Sequence, residues 1–361
     1  MYLNNYHYDL IDCDELAWDQ FEDFTTTLTT DLVSSIERGV NPSDIHVTFS
    51  YGPEGTLLLV DNYWYIRAIH NFAHKYSIPL KNITVKVTNA KFNKVYNKWH
   101  KLHAPNEDKI NHTLEKYAFQ LYTPYGWEPP IKKPKVNLNK RPKKFNCLNG
   151  NPMPHRVMLL NEMHKKDLLD TEENIISFHF NRDEELLVEP NPQIVLPIEY
   201  DKPRNKLLEN HVQFTGDFSH IYNNTYFTVT TEGSECYTLA DWHTNNQINE
   251  YLKEFHEELF ITEKTVRAFF NLHPQIIVGS VGTLDYLKQL GFKTFSNYWS
   301  EDYDTAVNGH ARINLITDEI KKLNAKSQEE LHEMYVDMLP ILKHNQEHLV
   351  NFDYENIPYY A

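Results

Sequence analysis

The stretch "FITEKTVRAFFNLHPQIIVGSVGTLDYLKQLGF", residues 260–292, decides the fold because it encodes a helix, a buried strand, a glycine turn and a second helix. Thr262 is a favourable N-cap, and Glu263 places an acid in the first turn, where it suits the helix dipole. The apolar run and the two glycines of "PQIIVGSVGT", residues 274–283, predict a buried strand that turns into the second helix. This succession predicts an α/β fold with a parallel sheet.

Two features of the same stretch are typical of anion binding. Lys264 is a cation in the first turn of a helix, which is slightly unfavourable unless an anion binds beside it. With such an anion, Glu263 could accept hydrogen bonds from a ribose. Gly279 and Ser280 lie in a turn that permits close approach of a ligand, although the turn matches neither GxGxxG nor a P-loop. Ordinary α/β packing explains the stretch equally well, so both interpretations stay open.

A second cation lies at another predicted helix start, in "NCLNGNPMPHRVML", residues 146–159. Asn149 follows a strand-like segment, and Arg156 lies in the first turn after Pro154, a residue suited to a first helical position. Arg156 and Lys264 could converge on one diphosphate if their two strand ends lie side by side. The alternative is a solvated arginine above a helix start.

A segment rich in proline and lysine divides the chain. We predict an N-terminal α/β domain over 1–125, a linker over 126–144, a Rossmann-like domain over 145–345 and a tail over 346–361. Two α/β halves joined in this way predict a cleft between them. The lysines and the arginine of the linker indicate either a solvated connection or a strip for an anionic acceptor such as DNA or a charged glycan.

Composition limits the classes of function. The chain has 361 residues and a formal net charge of −15, a balance that disfavours nucleic-acid binding. The three cysteines form no CxxC pair, so we predict neither a disulfide scaffold nor a cysteine zinc site and expect a reducing compartment, the cytoplasm. No apolar run approaches the ~18–20 residues of a membrane span, so we expect no membrane association.

Metal-ligand spacings are present but isolated. Asp12–Asp14 and Asp302–Asp304 have the DxD spacing that can chelate a divalent cation, but neither follows a clear strand. Among the 19 histidines we find no HExxH pair, and His344 and His348, one turn apart, have no evident third ligand. We therefore predict no metal site.

Three segments carry a family resemblance. They are "KKFNCLNGNPMPHRVMLLNEMHKKDLLD" from residue 143, "TYFTVTTEGSE" from residue 225, and "LFITEKTVRAFFNLHPQIIVGSVGTLDYLKQLGFKTF" from residue 259. Together, over roughly residues 143–350, they resemble the C-terminal half of phage and bacterial glycosyltransferase-like proteins, which are distant relatives of the α-1,3-fucosyltransferase family. The resemblance implies a GT-B fold of two Rossmann-like domains, with a nucleotide-sugar donor against the second.

The resemblance also implies roles for individual residues. Glu263 would hold the ribose, Lys264 and Arg156 would neutralise the diphosphate, and Glu232 would line the donor pocket. Transfer would need no metal and no cofactor beyond the nucleotide diphosphate sugar. The acceptor would be a hydroxyl of a glycan, of a protein, or of a hydroxymethylated base in phage DNA, and a phage-encoded protein would act in the host cytoplasm.

The resemblance identifies no catalytic base in the N-terminal half of the chain. Inverting transfer needs a base for the acceptor proton, and Glu54, in "SYGPEGT" at 50–56, lies in a turn just past a predicted strand. The alternative is that Glu54 is an acid in a surface turn with no role in catalysis. The rival functions are a non-catalytic nucleotide- or glycan-binding protein and a virion-associated protein. The donor sugar, the stereochemistry and the oligomeric state stay open.

Overall fold

The computed structural model describes residues 5–9, 30–50, 60–114, 133–150, 152–179, 188–198, 219–232, 259, 261–353 and 356–361. The chain divides into two compact units, Met1–Ala118 with Glu355–Ala361 (unit 1) and Phe119–Tyr354 (unit 2). Each unit contains a four-stranded parallel sheet with helices, so the predicted mixed α/β fold is confirmed. None of the described helices is long and apolar enough to cross a membrane.

Unit 1 has its strands in chain order across the sheet, β1-β2-β3-β4, and every described pair is parallel. The strands are β1 (Asn5–Asp9), β2 (His46–Ser50), β3 (Ile83–Val87) and β4 (Asn111–Leu114). The helices are α1 (Thr30–Glu37), α2 (Val60–Lys75) and α3 (Phe92–His103). Alternation of Ile83, Val85 and Val87 gives β3 a fully buried face, which packs into the core of unit 1.

Unit 2 carries the longer run of elements. Its strands are β5 (Lys143–Asn149), β6 (Ile175–Phe178), β7 (Thr225–Thr231) and β8 (Gln275–Val278). Its helices are α4 (Pro154–Lys165), α5 (Ser219–Tyr222), α6 (Glu263–Phe270), α7 (Thr283–Gln289), α8 (Gly309–Asn324) and α9 (Gln328–Val350). Every residue of β6, β7 and β8 is buried, as expected for parallel strands covered on both faces.

The strand order of unit 2 is β6-β5-β7-β8, again all parallel. The chain leaves β5 for β6 on one side and then returns to β7 on the other side of β5. The order therefore reverses between the carboxyl ends of β5 and β7. In open α/β sheets such a switch point leaves a crevice where ligands bind.

The capping-box spacing of Ser327 and Glu330 and an apolar stripe over 327–350 predict a helix, and the structure confirms it as α9. The Ser327 hydroxyl accepts a hydrogen bond from the Glu330 amide, and the Glu330 carboxylate accepts one from the Ser327 amide, forming the capping box. A proline at 340 predicts a kink or a division of this segment, and the helix is not divided there. Tyr335 and Leu342 are buried on either side of Pro340, and their packing stabilises the helix against the lost hydrogen bond.

The proline- and lysine-rich segment differs from both of its interpretations. From residue 133 onward its cations contact unit 2: Lys140 pairs with Glu329, and Lys144 lies 2.8 Å from Glu173. Arg141 is buried, with its guanidinium 3.7 Å from the centre of the Tyr335 ring. These contacts hold the described part of the segment against unit 2, while the Lys140 side chain stays 64% exposed.

The chain also ends differently from the predicted tail over 346–361. Helix α9 continues to Val350, and the last residues belong to unit 1. There the Tyr359 hydroxyl lies 2.9 Å from Nδ1 of His112, and the Tyr360 amide donates to the Ala90 carbonyl over 2.9 Å. The first division between the units falls at 118/119, seven residues before the predicted linker.

Candidate functional site

The carboxyl ends of β5 and β7 bring most of the predicted site residues together. We call this group the switch-point site, and it consists of Asn149, His155, Arg156, Glu232, Thr262, Glu263 and Lys264. Asn149 ends β5, Glu232 follows β7, and the other residues lie at the starts of α4 and α6. Parallel strands present these ends at one edge of the sheet, so residues such as His155 and Glu232, 77 positions apart in sequence, contact one another.

Glu232 joins the elements of the site. Its fully buried carboxylate accepts hydrogen bonds from the Thr262 amide (3.2 Å) and from the hydroxyls of Thr262 and Thr265. Its backbone carbonyl accepts a hydrogen bond from Nε2 of His155 over 2.9 Å. The resemblance implies a pocket-lining role for Glu232, but its carboxylate is enclosed and acts as a positioning group instead.

His155 is a buried, neutral ring. Burial lowers its pKa to about 3, and the positive charges of Arg156 and Lys264 act in the same direction. The convergence of Arg156 and Lys264 on one diphosphate stays a prediction. Sequence analysis placed His155 in this patch without a role, and its position after a strand end and beside Arg156 is the signal that marks it.

Arg156 lies largely buried near the end of β5. Burial raises the pKa of the Cys147 thiol to about 12, while the Asn149 amide and the charge of Arg156 oppose that rise. Arg156 thus acts on both Cys147 in β5 and His155 in α4. A guanidinium in this position presents a planar fork that suits phosphate oxygens.

Lys264 and Glu263 neutralise each other in the protein alone. The Lys264 ammonium lies 2.8 Å from the Glu263 carboxylate, and the side chains are 34% and 10% exposed. Burial raises the pKa of Glu263, but the neighbouring Lys264 charge and hydrogen bond outweigh it, so the net pKa is lowered. Glu263 is therefore anionic, and Lys264 is the more accessible of the pair.

The start of α6 does not offer its backbone amides freely. Thr262 is the N-cap as predicted, and its hydroxyl accepts a hydrogen bond from the Lys264 amide over 3.3 Å. The Thr262 amide donates to Glu232. Two amides at the start of α6 therefore have acceptors within the protein, and the roles predicted for Arg156 and Lys264 toward an anion stay predictions.

The glycine turn before α7 is closed by an acid of the protein itself. The Asp304 carboxylate accepts hydrogen bonds from the amides of Leu284 (3.0 Å) and Asp285 (3.1 Å). Buried Asp304 thereby supplies the negative charge at the start of α7, while ligand binding by Gly279 and Ser280 stays a prediction.

Gly279 and Ser280 have packing roles. A Cβ on Gly279 would lie 3.2 Å from the Thr283 hydroxyl and 3.5 Å from Cγ of Glu232, so glycine lets the end of β8 approach Glu232 closely. The Ser280 carbonyl accepts hydrogen bonds from the Thr283 hydroxyl (2.6 Å) and from Arg312 (3.0 Å).

Asn149 links two strand ends. Its side-chain oxygen accepts a hydrogen bond from the Thr231 hydroxyl over 2.6 Å, and its amide donates to the Cys147 sulfur over 3.3 Å. This link fixes the end of β5 to the end of β7. Asn149 therefore shapes the site through the protein's own contacts.

Two predicted positions lie outside the described residues: Glu54 and the pair Asp12–Asp14. Asp302–Asp304 form a short 3₁₀ helix, in which the Asp304 carboxylate accepts a hydrogen bond from the Leu284 amide at the start of α7.

Sequence analysis missed one cluster in unit 1. His70 and His74 on α2 meet Glu107, with ligand-type atoms within 4.8 Å of one another. The prediction of no metal site did not consider these two histidines. Their spacing of four residues, about one helical turn, is the sequence signal that could have identified them.

Comparison with known proteins adds no family: the chain matches no protein-family model, no curated protein and no solved structure.

Proposed function

We propose that the protein is a GT-B glycosyltransferase that binds a nucleotide diphosphate sugar at the switch-point site. The observation that carries the proposal is the hydrogen-bonded link from His155, the neighbour of Arg156, through Glu232 to Thr262 at the start of α6, at the point where the strand order reverses. Two cations at such a point suit a ligand with two adjacent phosphates. The two parallel sheets support the arrangement of two Rossmann-like domains that the proposal includes.

Donor binding would separate the ion pair between Lys264 and Glu263 and give each side chain a new partner. A diphosphate competes for Lys264, which is one-third exposed and can turn toward it. Glu263 then loses its cation and is left to accept hydrogen bonds from ribose hydroxyls, the role acids take in other nucleotide sites. Donor binding thus uses both members of the pair.

The departing diphosphate carries the charge that must be stabilised during transfer. In the proposed reaction, the charges of Arg156 and of Lys264, once it has turned toward the donor, supply that stabilisation. His155 is neutral, so it adds no charge of its own, and its hydrogen bond to Glu232 fixes the start of α4. Glu54 is the proposed base for the acceptor hydroxyl.

Charge favours a glycan or protein hydroxyl as the acceptor over DNA. The net charge is −15, and Lys140 and Lys144 of the basic segment form ion pairs within unit 2. A DNA acceptor would need phosphate contacts that these lysines do not supply.

Donor binding by the Lys264→Ala variant tests the proposal. Titration of the full chain with UDP-, GDP- and CDP-sugars should give one donor class that binds and raises the melting temperature. A charge-assisted contact contributes about 1.5–3 kcal/mol. Its loss should lower the affinity for that donor about 10- to 100-fold in Lys264→Ala and in Arg156→Ala. Lys165→Ala is the matched control, because Lys165 also forms an ion pair with a neighbouring acid on a helix of unit 2 but lies away from the switch-point site.

Three outcomes separate the proposal from its rivals. Donor hydrolysis or transfer that Lys264→Ala abolishes supports the enzyme. Donor binding without either reaction identifies a non-catalytic recognition protein with the same fold. If no nucleotide raises the melting temperature, the proposal is wrong and a virion-associated role is favoured.

A further inference from the structure

We propose that unit 1 binds a divalent transition-metal ion, best fitted by Zn²⁺, through His70, His74 and Glu107. The three side chains are called the α2 triad below. Their ligand-type atoms lie within 4.8 Å of one another. The inference concerns a site in unit 1 and does not depend on the proposed donor site of unit 2.

Helix geometry brings the two histidines together. His70 and His74 are four residues apart on α2, so they project from one face of the helix in successive turns. Glu107 lies in the turn between α3 and β4, and its Oε2 atom is 2.8 Å from Nδ1 of His70 and 3.1 Å from Nε2 of His74. Zinc bonds of ~2.0–2.2 Å in tetrahedral geometry place ligand atoms roughly 3.3 Å apart. The α2 triad needs little movement to reach that spacing.

The side chains of the α2 triad supply the ligand atoms that zinc prefers, ring nitrogens from His70 and His74 and a carboxyl oxygen from Glu107. Two imidazoles and one carboxylate form the His₂Glu donor set of known zinc sites.

A second layer of contacts fixes the ligands. Nε2 of His70 lies 3.2 Å from the Tyr96 hydroxyl, which also accepts a hydrogen bond from the Ile110 amide over 2.9 Å. Metal-bound histidines usually donate their other ring N–H to an acceptor of this kind. Nε2 of His100 donates to the Glu107 backbone carbonyl over 3.1 Å and thereby holds the turn that presents the carboxylate.

One side of the α2 triad faces solvent. The side chain of His70 is 5% exposed, whereas those of His74 and Glu107 are 57% and 35% exposed. An ion can enter from the side of His74 and retain a water molecule as its fourth ligand. Three protein ligands with one open position are typical of zinc sites that exchange ligands.

Zinc titration of the full chain tests the site. After treatment with EDTA, calorimetric titration with ZnCl₂ should show one strong site, and zinc should raise the melting temperature. His74→Ala and Glu107→Gln each remove one ligand and should weaken binding at least about tenfold. His74 is exposed, so His74→Ala should keep the fold, and the melting temperature in EDTA checks this.

A matched control separates the α2 triad from general histidine binding. His46 is an exposed histidine on β2 of the same unit, and His46→Ala should bind zinc as the natural protein does. Lys264→Ala should also retain zinc binding, so failure of the donor proposal and failure of this one can be told apart.

Either of two results overturns the inference. One is equal zinc affinity in the natural protein and in His74→Ala; the other is equal loss of affinity in His46→Ala and His74→Ala. In both cases the α2 triad would be a hydrogen-bonded cluster that supports the turn at Glu107.

Discussion

At the scale of single residues, His155 determines the electrostatics of the switch-point site. Its ring is buried beside two cations and donates a hydrogen bond to the Glu232 carbonyl. A protonated ring would place a third positive charge beside Arg156 and Lys264. Neutrality of His155 is therefore a condition of folding for this part of the molecule.

Acid should destabilise unit 2 through this histidine. The pKa of His155 is about 3 in the folded protein against an ordinary value of 6.5, and His273 is buried with the same lowered value. Between these pH values the unfolded chain binds protons that the folded chain does not, so the free energy of unfolding falls as pH falls from about 6.5 toward 3. Each proton contributes about 1.4 kcal/mol per pH unit.

The variant His155→Gln isolates one of the two protons. Urea unfolding at several pH values between 4 and 6.5 gives the free energy of unfolding as a function of pH. The slope of that function should be smaller in His155→Gln than in the natural protein, by the amount that one proton contributes. A slope equal to that of the natural protein would show that His155 is already protonated in the folded state or does not lose its charge on burial.

Residue-scale prediction from the sequence succeeded where partners are local. Thr262 is confirmed as the N-cap because its partner, the Lys264 amide, lies two residues away. The role of Glu232 could not be predicted, because its partner Thr262 lies 30 residues further along the chain. Asp304 likewise reaches the start of α7 from 20 residues beyond Leu284.

At the scale of elements, α7 depends on an acid outside the helix. The Asp304 carboxylate accepts two amide hydrogen bonds at the helix start and lies 3.5 Å from the Arg312 guanidinium of α8. Both side chains of the ion pair are buried. The Arg312 guanidinium also donates to the backbone carbonyls of Ser280 and Tyr303, which ties α7, α8 and the end of β8 together.

Removal of this acid should destabilise unit 2 strongly. Asp304→Ala leaves a buried guanidinium without its counter-charge and two helix amides without their acceptor, so we expect the free energy of unfolding to fall by about 3–5 kcal/mol. Asp302→Ala is the matched control: Asp302 belongs to the same DYD motif but is exposed, and its loss should change stability by less than about 0.5 kcal/mol. Equal effects in chemical denaturation would refute a capping role for Asp304.

Elements with strong local signals were predictable. The helix at 327–350 is confirmed as α9 to within one residue, because a capping box and an apolar stripe specify it. The effect of Pro340 was not predictable, since packing on both sides of it decides whether the helix continues. The pairing of His70 and His74 with Glu107 also needs the turn after α3 to be known.

At the scale of the whole molecule, the two sheets differ in strand order. Unit 1 runs β1-β2-β3-β4 in one direction, so its described strands contain no reversal, whereas unit 2 reverses at β5. Only the described part of unit 2 therefore has a crevice that follows from strand order. Sequence predicted parallel α/β units on both sides of the dividing segment but could not predict this order, because strand adjacency is set by packing between distant segments.

The end of the chain should stabilise unit 1 selectively. Deletion of residues 354–361 removes buried Ile357, the Tyr359 contact with His112 and the Tyr360 hydrogen bond to Ala90. Burial of the isoleucine and the aromatic pairing together contribute about 2–4 kcal/mol. Hydrogen exchange should therefore quicken in β3, α3 and β4, while amides of β5 and β7 keep their protection. Equal changes in both units, or in neither, would contradict this assignment of the C-terminal residues.

The hydrogen bonds between Glu232 and Thr262 have a further consequence. These bonds join the residue that follows β7 to the N-cap of α6 through a fully buried carboxylate. The end of the strand and the start of the helix therefore hold one another in place. A substitution at Glu232 would move the start of α6, and with it Glu263 and Lys264.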